Sequence, residues 1–132
     1  MMRDPGQLKV VAMAEELASE VYDLTVHFSD VERYGLTSQI RRASVSIAAN
    51  LVEGCSRSST PDFRRFVEIS QGSAMELRFL LGFAWRKKDI VIGDRSVELE
   101  EMFQRCWRQT DDIVRGLINL RRGLGSRMAP RA

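Results

Sequence analysis

Proline is scarce in this chain. Pro5, Pro61 and Pro130 are the only three among 132 residues, so helices are free to run long between them. Histidine occurs once and cysteine twice, which leaves too few soft ligands for a structural zinc centre. His27, beside a phenylalanine, reads as a surface or boundary residue. Cys55 and Cys106 have no CxxC spacing and no neighbouring base, so they read as reduced thiols and not as a disulfide, metal ligands or an activated nucleophile. No apolar run approaches the roughly 18 residues of a membrane span. Residues 1–6 are polar and no apolar h-region follows them, the pattern of a chain without a secretory signal. A cytoplasmic protein with no membrane segment is expected.

Catalytic and cofactor motifs are missing as well. Gly54-Cys55-Ser56-Arg57-Ser58-Ser59 is a polar loop without the GxxxxGK[ST] frame that cradles nucleotide phosphate. The carboxylate neighbours Glu15/Glu16, Glu100/Glu101 and Asp111/Asp112 point about 100° apart on a helix and read as solvated faces. The expectation is therefore no catalytic residue, no metal, no cofactor and no small-molecule substrate: not an enzyme.

What is present is helical periodicity from end to end. A hydrophobic share of 44% in 132 residues suits one domain. Leu8, Val11, Ala14, Leu17, Ala18, Val21, Leu24 and Phe28 predict a first helix starting near Pro5. Leu36, Ile40, Ala43, Ile47 and Leu51 predict a second over about residues 36–55. Val45, Ala48, Ala49 and Val52 add a second apolar surface to it, which implies burial on more than one side. Thr60 as cap, Pro61 in the first turn and Asp62 predict the start of a third helix. Its stripe runs from Phe63 to Trp85, and it ends at Arg86-Lys87-Lys88. A turn at Ile92-Gly93-Asp94 leads into a fourth, with Leu99, Phe103, Cys106, Thr110, Ile113 and Leu117 inward and a stop at Arg121-Arg122-Gly123. Asp89–Ile92 is too short and too isolated for a strand. Four helices of matched length with short connections predict an all-α, antiparallel up-down-up-down four-helix bundle over residues 1–123. Residues 124–132 are expected to be a disordered basic tail.

The charges are unevenly spread. Seventeen of the 20 basic residues are arginine, residues 1–32 carry net −5, and residues 33–65 carry net +4. Arg41, Arg42, Arg57, Arg64 and Arg65 are candidate phosphate contacts, because guanidinium pairs with phosphate without reading sequence. The competing reading uses the same arginines in ion pairs with the acidic first helix, in the same subunit or the next. Asn50 and Glu53 interrupt the apolar pattern of the second helix and are expected to be structural polar groups paired to a loop, to Arg41 or to Arg65. Small residues at Ala43, Ser44, Ser46, Ala48 and Ala49, and at Gly72, Ser73 and Ala74, permit close helix approach. Surplus apolar surface and opposite charge on two segments favour a heterologous contact that closes into a ring.

The run Tyr34-Gly35-Leu36-Thr37-Ser38-Gln39-Ile40-Arg41-Arg42-Ala43, then Ser46-Ile47, Ala49-Asn50 and Glu53-Gly54, resembles the signature of a four-helix-bundle family. It is the family of proteins encoded within intervening sequences of bacterial large-subunit ribosomal RNA. Phe63-Arg64-Arg65-Phe66, Gly72-Ser73 and Glu76-Leu77 are similar to that family's third-helix pattern. The resemblance spans roughly residues 8–122. It implies a cyclic homopentamer without enzymatic activity. It also implies kinship with the accessory proteins of diversity-generating retroelements, basic pentamers that engage reverse transcriptase and nucleic acid. Ala48 and Ser29 stand where the family often has proline. The resulting expectation is a homo-oligomer, a pentamer by resemblance, that binds RNA or a ribonucleoprotein through arginine. The alternative is a structural adaptor whose arginines are consumed between subunits.

Overall fold

Two of the helix starts in this protein are set by short polar side chains. Ser59 Oγ accepts the Asp62 amide at 3.2 Å and opens α3, Thr60–Arg86. Ser96 Oγ accepts the Leu99 amide at 3.1 Å and opens α4, Val97–Met128. Each hydroxyl satisfies one of the amides that a helix start leaves without an internal partner. A computed structural model describes residues 3–128. Besides α3 and α4 it contains α1, Lys9–Thr25, and α2, Leu36–Cys55, with single 3-10 turns at Pro5–Gln7 and Asp30–Glu32. Among the described residues there is no strand, only one antiparallel bridge between Phe28 and Val91.

Each helix packs on its chain neighbours, α1 closes the square on α4, and no contact links the diagonal pairs. Side-chain pairs fix the directions. Ile47 and Ser46 of α2 meet Ser70 and Ser73 of α3 in descending order. Arg78 and Gln71 of α3 meet Asp111 and Arg121 of α4. Glu20 of α1 meets Arg105 of α4, whereas Val10 sits beside Gly116. These three pairs are antiparallel, as the short connections require for α2–α3 and α3–α4. The core is one cluster in which Leu17, Ile40, Ile47, Leu51, Leu77, Phe103, Ile113 and Leu117 are fully enclosed. Each such side chain contributes about 1.5–3 kcal/mol through burial.

Four boundaries differ from the sequence expectation. First, α1 begins at Lys9, because Leu8 is extended and separates it from the turn at Pro5. Second, α1 ends at Thr25, and Phe28 is drawn into the bridge with Val91; Ser29 N–H donates to Ile90 O at 2.7 Å and Ile92 N–H to His27 O at 2.9 Å. Thus Asp89–Ile92 forms no strand, yet Val91 does have a pairing partner. Third, Ser59 caps α3 in place of Thr60, which lies inside the helix and accepts from Arg3 Nη2 at 3.3 Å. Fourth, α4 passes through Gly123 to Met128. Gly93 alone has a positive φ among the described residues, so Gly123 makes no left-handed cap. Leu124 continues the inward stripe and is buried. Of the expected disordered tail, residues 129–132 lie outside the described residues. α2 runs unbroken through Ala48.

Candidate nucleic-acid interface

The inner face of α2 is the expected one: Leu36, Ile40, Ala43, Ile47 and Leu51 are all buried. Its second apolar face is open in the single chain. Val45 and Val52 are 45% and 44% exposed. With Ala48, Ala49 and Ala18 of α1 they line a shallow hollow of 560 Å³, flanked by Glu15 and Glu53. Positions 45, 49 and 52 follow i, i+4, i+7, so this is one stripe along the helix.

The five candidate arginines do not converge. Arg41 and Arg42 lie near the start of α2, whereas Arg57, Arg64 and Arg65 surround the α2–α3 turn, roughly 20 Å away at 1.5 Å rise per residue. Arg41 is half-buried: its Nε donates to Thr25 Oγ1 at 2.7 Å and its guanidinium lies 4.6 Å from the Tyr22 ring centre. Arg57 pairs with Glu53 at 2.6 Å and covers the Phe66 ring at 4.8 Å. Arg64 sits 3.6 Å from Glu68 and lies over Gly125 of α4. Arg65 is exposed with its guanidinium 5.9 Å from the Phe66 ring centre. Arg42 is exposed and pairs with no described residue; it edges a 650 Å³ hollow between α2 and α3 together with Ser46, Asn50, Ser73 and Glu76. Within the chain, the acidic first helix takes Arg105 at Glu20, and none of the five.

Asn50 and Glu53 find partners other than those expected. Asn50 Nδ2 donates to Ser46 O and Ser46 Oγ, both at 2.9 Å, and Ser46 Oγ is 2.9 Å from Ser73 Oγ. Glu53 is exposed and takes Arg57, its i+4 neighbour. Asn50 is half-buried, and both side chains lie on the side of α2 away from the core. Of the small residues expected to let helices approach, Ser46 and Ser73 meet between α2 and α3, whereas Ala48 and Ala49 line the open hollow and Gly72 is exposed. The close approach is made by Ser70, whose Oγ donates to Ile47 O at 2.8 Å, and by Gly54, where a Cβ would lie 2.8 Å from Phe66 Cβ.

One further network was legible from sequence only in part. Asp111 accepts from Arg78 Nη1 at 2.6 Å and from Arg115. Those hydrogen bonds, Arg115's first, hold its carboxyl below the usual carboxylate range. The Arg115 half of this network is an i, i+4 pair that the sequence displays; the Arg78 half needs the fold. Both cysteines are free and buried. Burial pushes the Cys106 thiol up to about 12, with Glu20 adding to the effect, and burial likewise raises Cys55. Neither has the lowered pKa of a nucleophile. His27 is exposed, as expected. Among the described residues no group of His, Cys, Asp and Glu could hold a metal ion, and no helix is long and apolar enough to cross a membrane.

Fold and surface together define a class: an antiparallel four-helix bundle with an open apolar stripe on one helix and arginines spread over its outer faces. Comparison with known proteins places it more narrowly. The chain belongs to the 23S rRNA-intervening sequence protein family, whose model matches residues 6–112. A solved structure of a protein of unknown function from the S23 ribosomal protein family, from Bacteroides thetaiotaomicron VPI-5482, is similar in fold. The TM-score is 0.71 at 22% sequence identity, covering 84% of this chain and 96% of that one. No curated protein matches the chain.

Proposed function

We propose that this protein is a non-enzymatic ring of five subunits, working in the cytoplasm, that binds RNA or a ribonucleoprotein through exposed arginine. The observation that carries the reading is the pair Arg42 and Arg65, exposed guanidinium groups without a carboxylate partner among the described residues, in a family defined by ribosomal RNA intervening sequences. The open stripe of Val45, Ala49 and Val52 supports assembly, since an apolar face of this kind is normally covered in a soluble protein. The order of five rests on the family resemblance. The ribonucleoprotein implied by the kinship with retroelement accessory proteins is a reverse transcriptase.

One observation favours the adaptor reading instead. Glu15 flanks the open stripe, and neither it nor the adjacent Glu16 has an ion-pair partner among the described residues, so a neighbouring subunit's Arg42 could meet them. Arg42→Glu combined with Arg65→Glu separates the two. On the RNA reading, binding of a structured RNA is lost and light scattering still gives five times the 15.1 kDa subunit mass. On the adaptor reading the assembly falls apart. For the parent protein, affinity for RNA drops at least about tenfold between 50 and 200 mM salt as counterions compete. No binding at low salt by the folded protein removes the RNA reading. Arg41 is a poor choice for this test, because its contacts to Thr25 and Tyr22 also hold α2 to α1.

A further inference from the structure

Both tryptophans of the chain, Trp85 and Trp107, line one groove of 530 Å³ between α3 and α4. Its volume falls within the range of about 300–1,000 Å³ usual for ligand sites. Arg86, Gln104 and Arg108 complete the walls, and Gly82 forms the floor. Trp85 is half-buried and packs on Phe103 at 5.9 Å between ring centres. Trp107 stands free at 37% exposure, and its indole N–H has no acceptor among the described residues.

Gly82 lies inside α3, where glycine costs up to about 1 kcal/mol of helix stability relative to alanine. Internal packing does not demand it. A Cβ there would meet only the tip of Arg86, 3.3 Å from Nη1, and Trp107 Nε1 at 3.8 Å. This is unlike Gly54, whose Cβ would strike a backbone-anchored Phe66 Cβ. The missing methyl group leaves the floor of the groove clear beneath an indole and a guanidinium. Arg86 and Arg108 have no ion-pair partner among the described residues, while the nearby acids are engaged: Asp111 by Arg78 and Arg115, Glu100 by Arg95. Glu101 and Asp112, one turn to either side on α4, do not line the groove. A second hollow shares Trp85 and Arg86 and adds Lys88.

We propose that this groove binds a nucleotide, its base stacked on Trp107 and its phosphate held by Arg86 and Arg108. A flat aromatic face beside two free guanidinium groups matches a π-system with an attached anion, the combination by which proteins hold single-stranded nucleic acid. Gln104 and the Trp107 N–H supply polar contacts to the base or sugar. The ligand is either a free nucleotide or one residue of an RNA strand; the second source rests on the RNA reading above, and the chemistry of the groove does not.

Because both tryptophans of the chain line this groove, selective tryptophan fluorescence reports on it, with Trp85 also bordering the adjoining hollow. Adenosine monophosphate and a short single-stranded oligoadenylate, titrated separately at low salt, are expected to quench it saturably. Quenching by both makes a free nucleotide sufficient; quenching by the oligomer alone assigns the site to an RNA strand. Arg86→Glu with Arg108→Glu should raise Kd at least tenfold at unchanged helicity. Trp107→Ala should weaken binding about tenfold, and Trp107→Phe should retain most of it, both followed by ligand anisotropy. Absence of saturable quenching by either probe overturns the proposal. If acrylamide also fails to reach the indoles, another protein chain covers the groove, and the proposal falls for that reason. RNA binding that ignores Arg86→Glu and Arg108→Glu overturns the RNA strand as the ligand of this groove and leaves the α2 arginines standing. Nucleotide quenching without any binding of structured RNA does the reverse.

Discussion

Gly54→Ala is the substitution for which the packing of α2 on α3 makes the sharpest forecast. A Cβ at residue 54 would lie 2.8 Å from Phe66 Cβ and 3.3 Å from Phe63 Cδ1. Carbon atoms rest comfortably at about 3.5–4.0 Å, so the first contact is too close by more than half an ångström. Phe66 cannot relieve it by changing rotamer, since its Cβ moves only with the α3 backbone. Phe63 is 1% exposed and has no free space to enter. The helices must therefore part near the α2–α3 turn. Overpacking of this kind costs about 1–3 kcal/mol, and the better helix propensity of alanine returns about 0.8–1.0 kcal/mol. The expected net effect is a loss of up to about 2 kcal/mol. Gly72→Ala is the control: it has the same chemistry inside α3, but no atom lies within 4 Å of the new Cβ. It should stabilise by up to about 1 kcal/mol. Denaturant unfolding followed by helicity, at fixed protein concentration, reads both as shifts of midpoint at constant slope. If Gly54→Ala stabilises as much as Gly72→Ala, the close approach of the two helices is wrong.

Gly123→Ala should raise stability by a few tenths to about 1 kcal/mol, because α4 continues through that residue; a loss instead would place residue 123 in a left-handed cap. The carboxyl of Asp111 titrates lower in the folded state than in the unfolded chain, so its contribution is complete above the ordinary aspartate value of about 4 and disappears as pH falls through the lowered value. Asp111→Asn should be less stable than the parent at neutral pH, and the gap should close on acidification; a gap independent of pH refutes the assignment. At pH 8 a thiol with pKa near 12 is ionised in only about one molecule in ten thousand, so Cys106 in the folded protein should resist alkylation and react on unfolding. Arg41→Ala should cost about 1–2 kcal/mol through the Thr25 hydrogen bond and the Tyr22 ring contact, read by the same unfolding assay.

Where helices run was legible because it depends on local periodicity and local caps. The range 36–55 for α2 needs only Gly35, the stripe from Leu36 to Leu51, and the polar residues after Cys55. Boundaries failed where a distant segment decided the outcome. Phe28 reads as the last member of the α1 stripe, but Val91, far along the chain, captures its backbone. Arg121-Arg122-Gly123 reads as a helix stop, but Leu124 has a buried position waiting one turn beyond Leu120. The candidate site suffered similarly. Five arginines close in sequence look like one patch, yet the length of α2 separates them into two groups. Trp85, Arg86, Trp107 and Arg108 are adjacent pairs on two helices, and only the antiparallel α3–α4 register brings them to one groove.

The square order of the helices gives these surfaces a relation to one another. α1–α2 and α3–α4 are opposite faces, since α1 packs on α2 and α4, and α3 on α2 and α4, without diagonal contact. The open stripe of Val45, Ala49 and Val52 lies on the first face, and the tryptophan groove on the second. A ring in which the stripe of one subunit meets the Arg42 hollow of the next would bury both and leave the tryptophan groove outside on every subunit. Arg42, on the hollow between α2 and α3, would then lie in the seam, and for that reason its substitution is the one that tells the assembly reading from the RNA reading. Arg86 and Arg108 would be remote from that seam. Charge reversal at Arg86 and Arg108 should thus leave the oligomer mass unchanged, and a fall in mass with those two substitutions would contradict a ring built on the α1–α2 face.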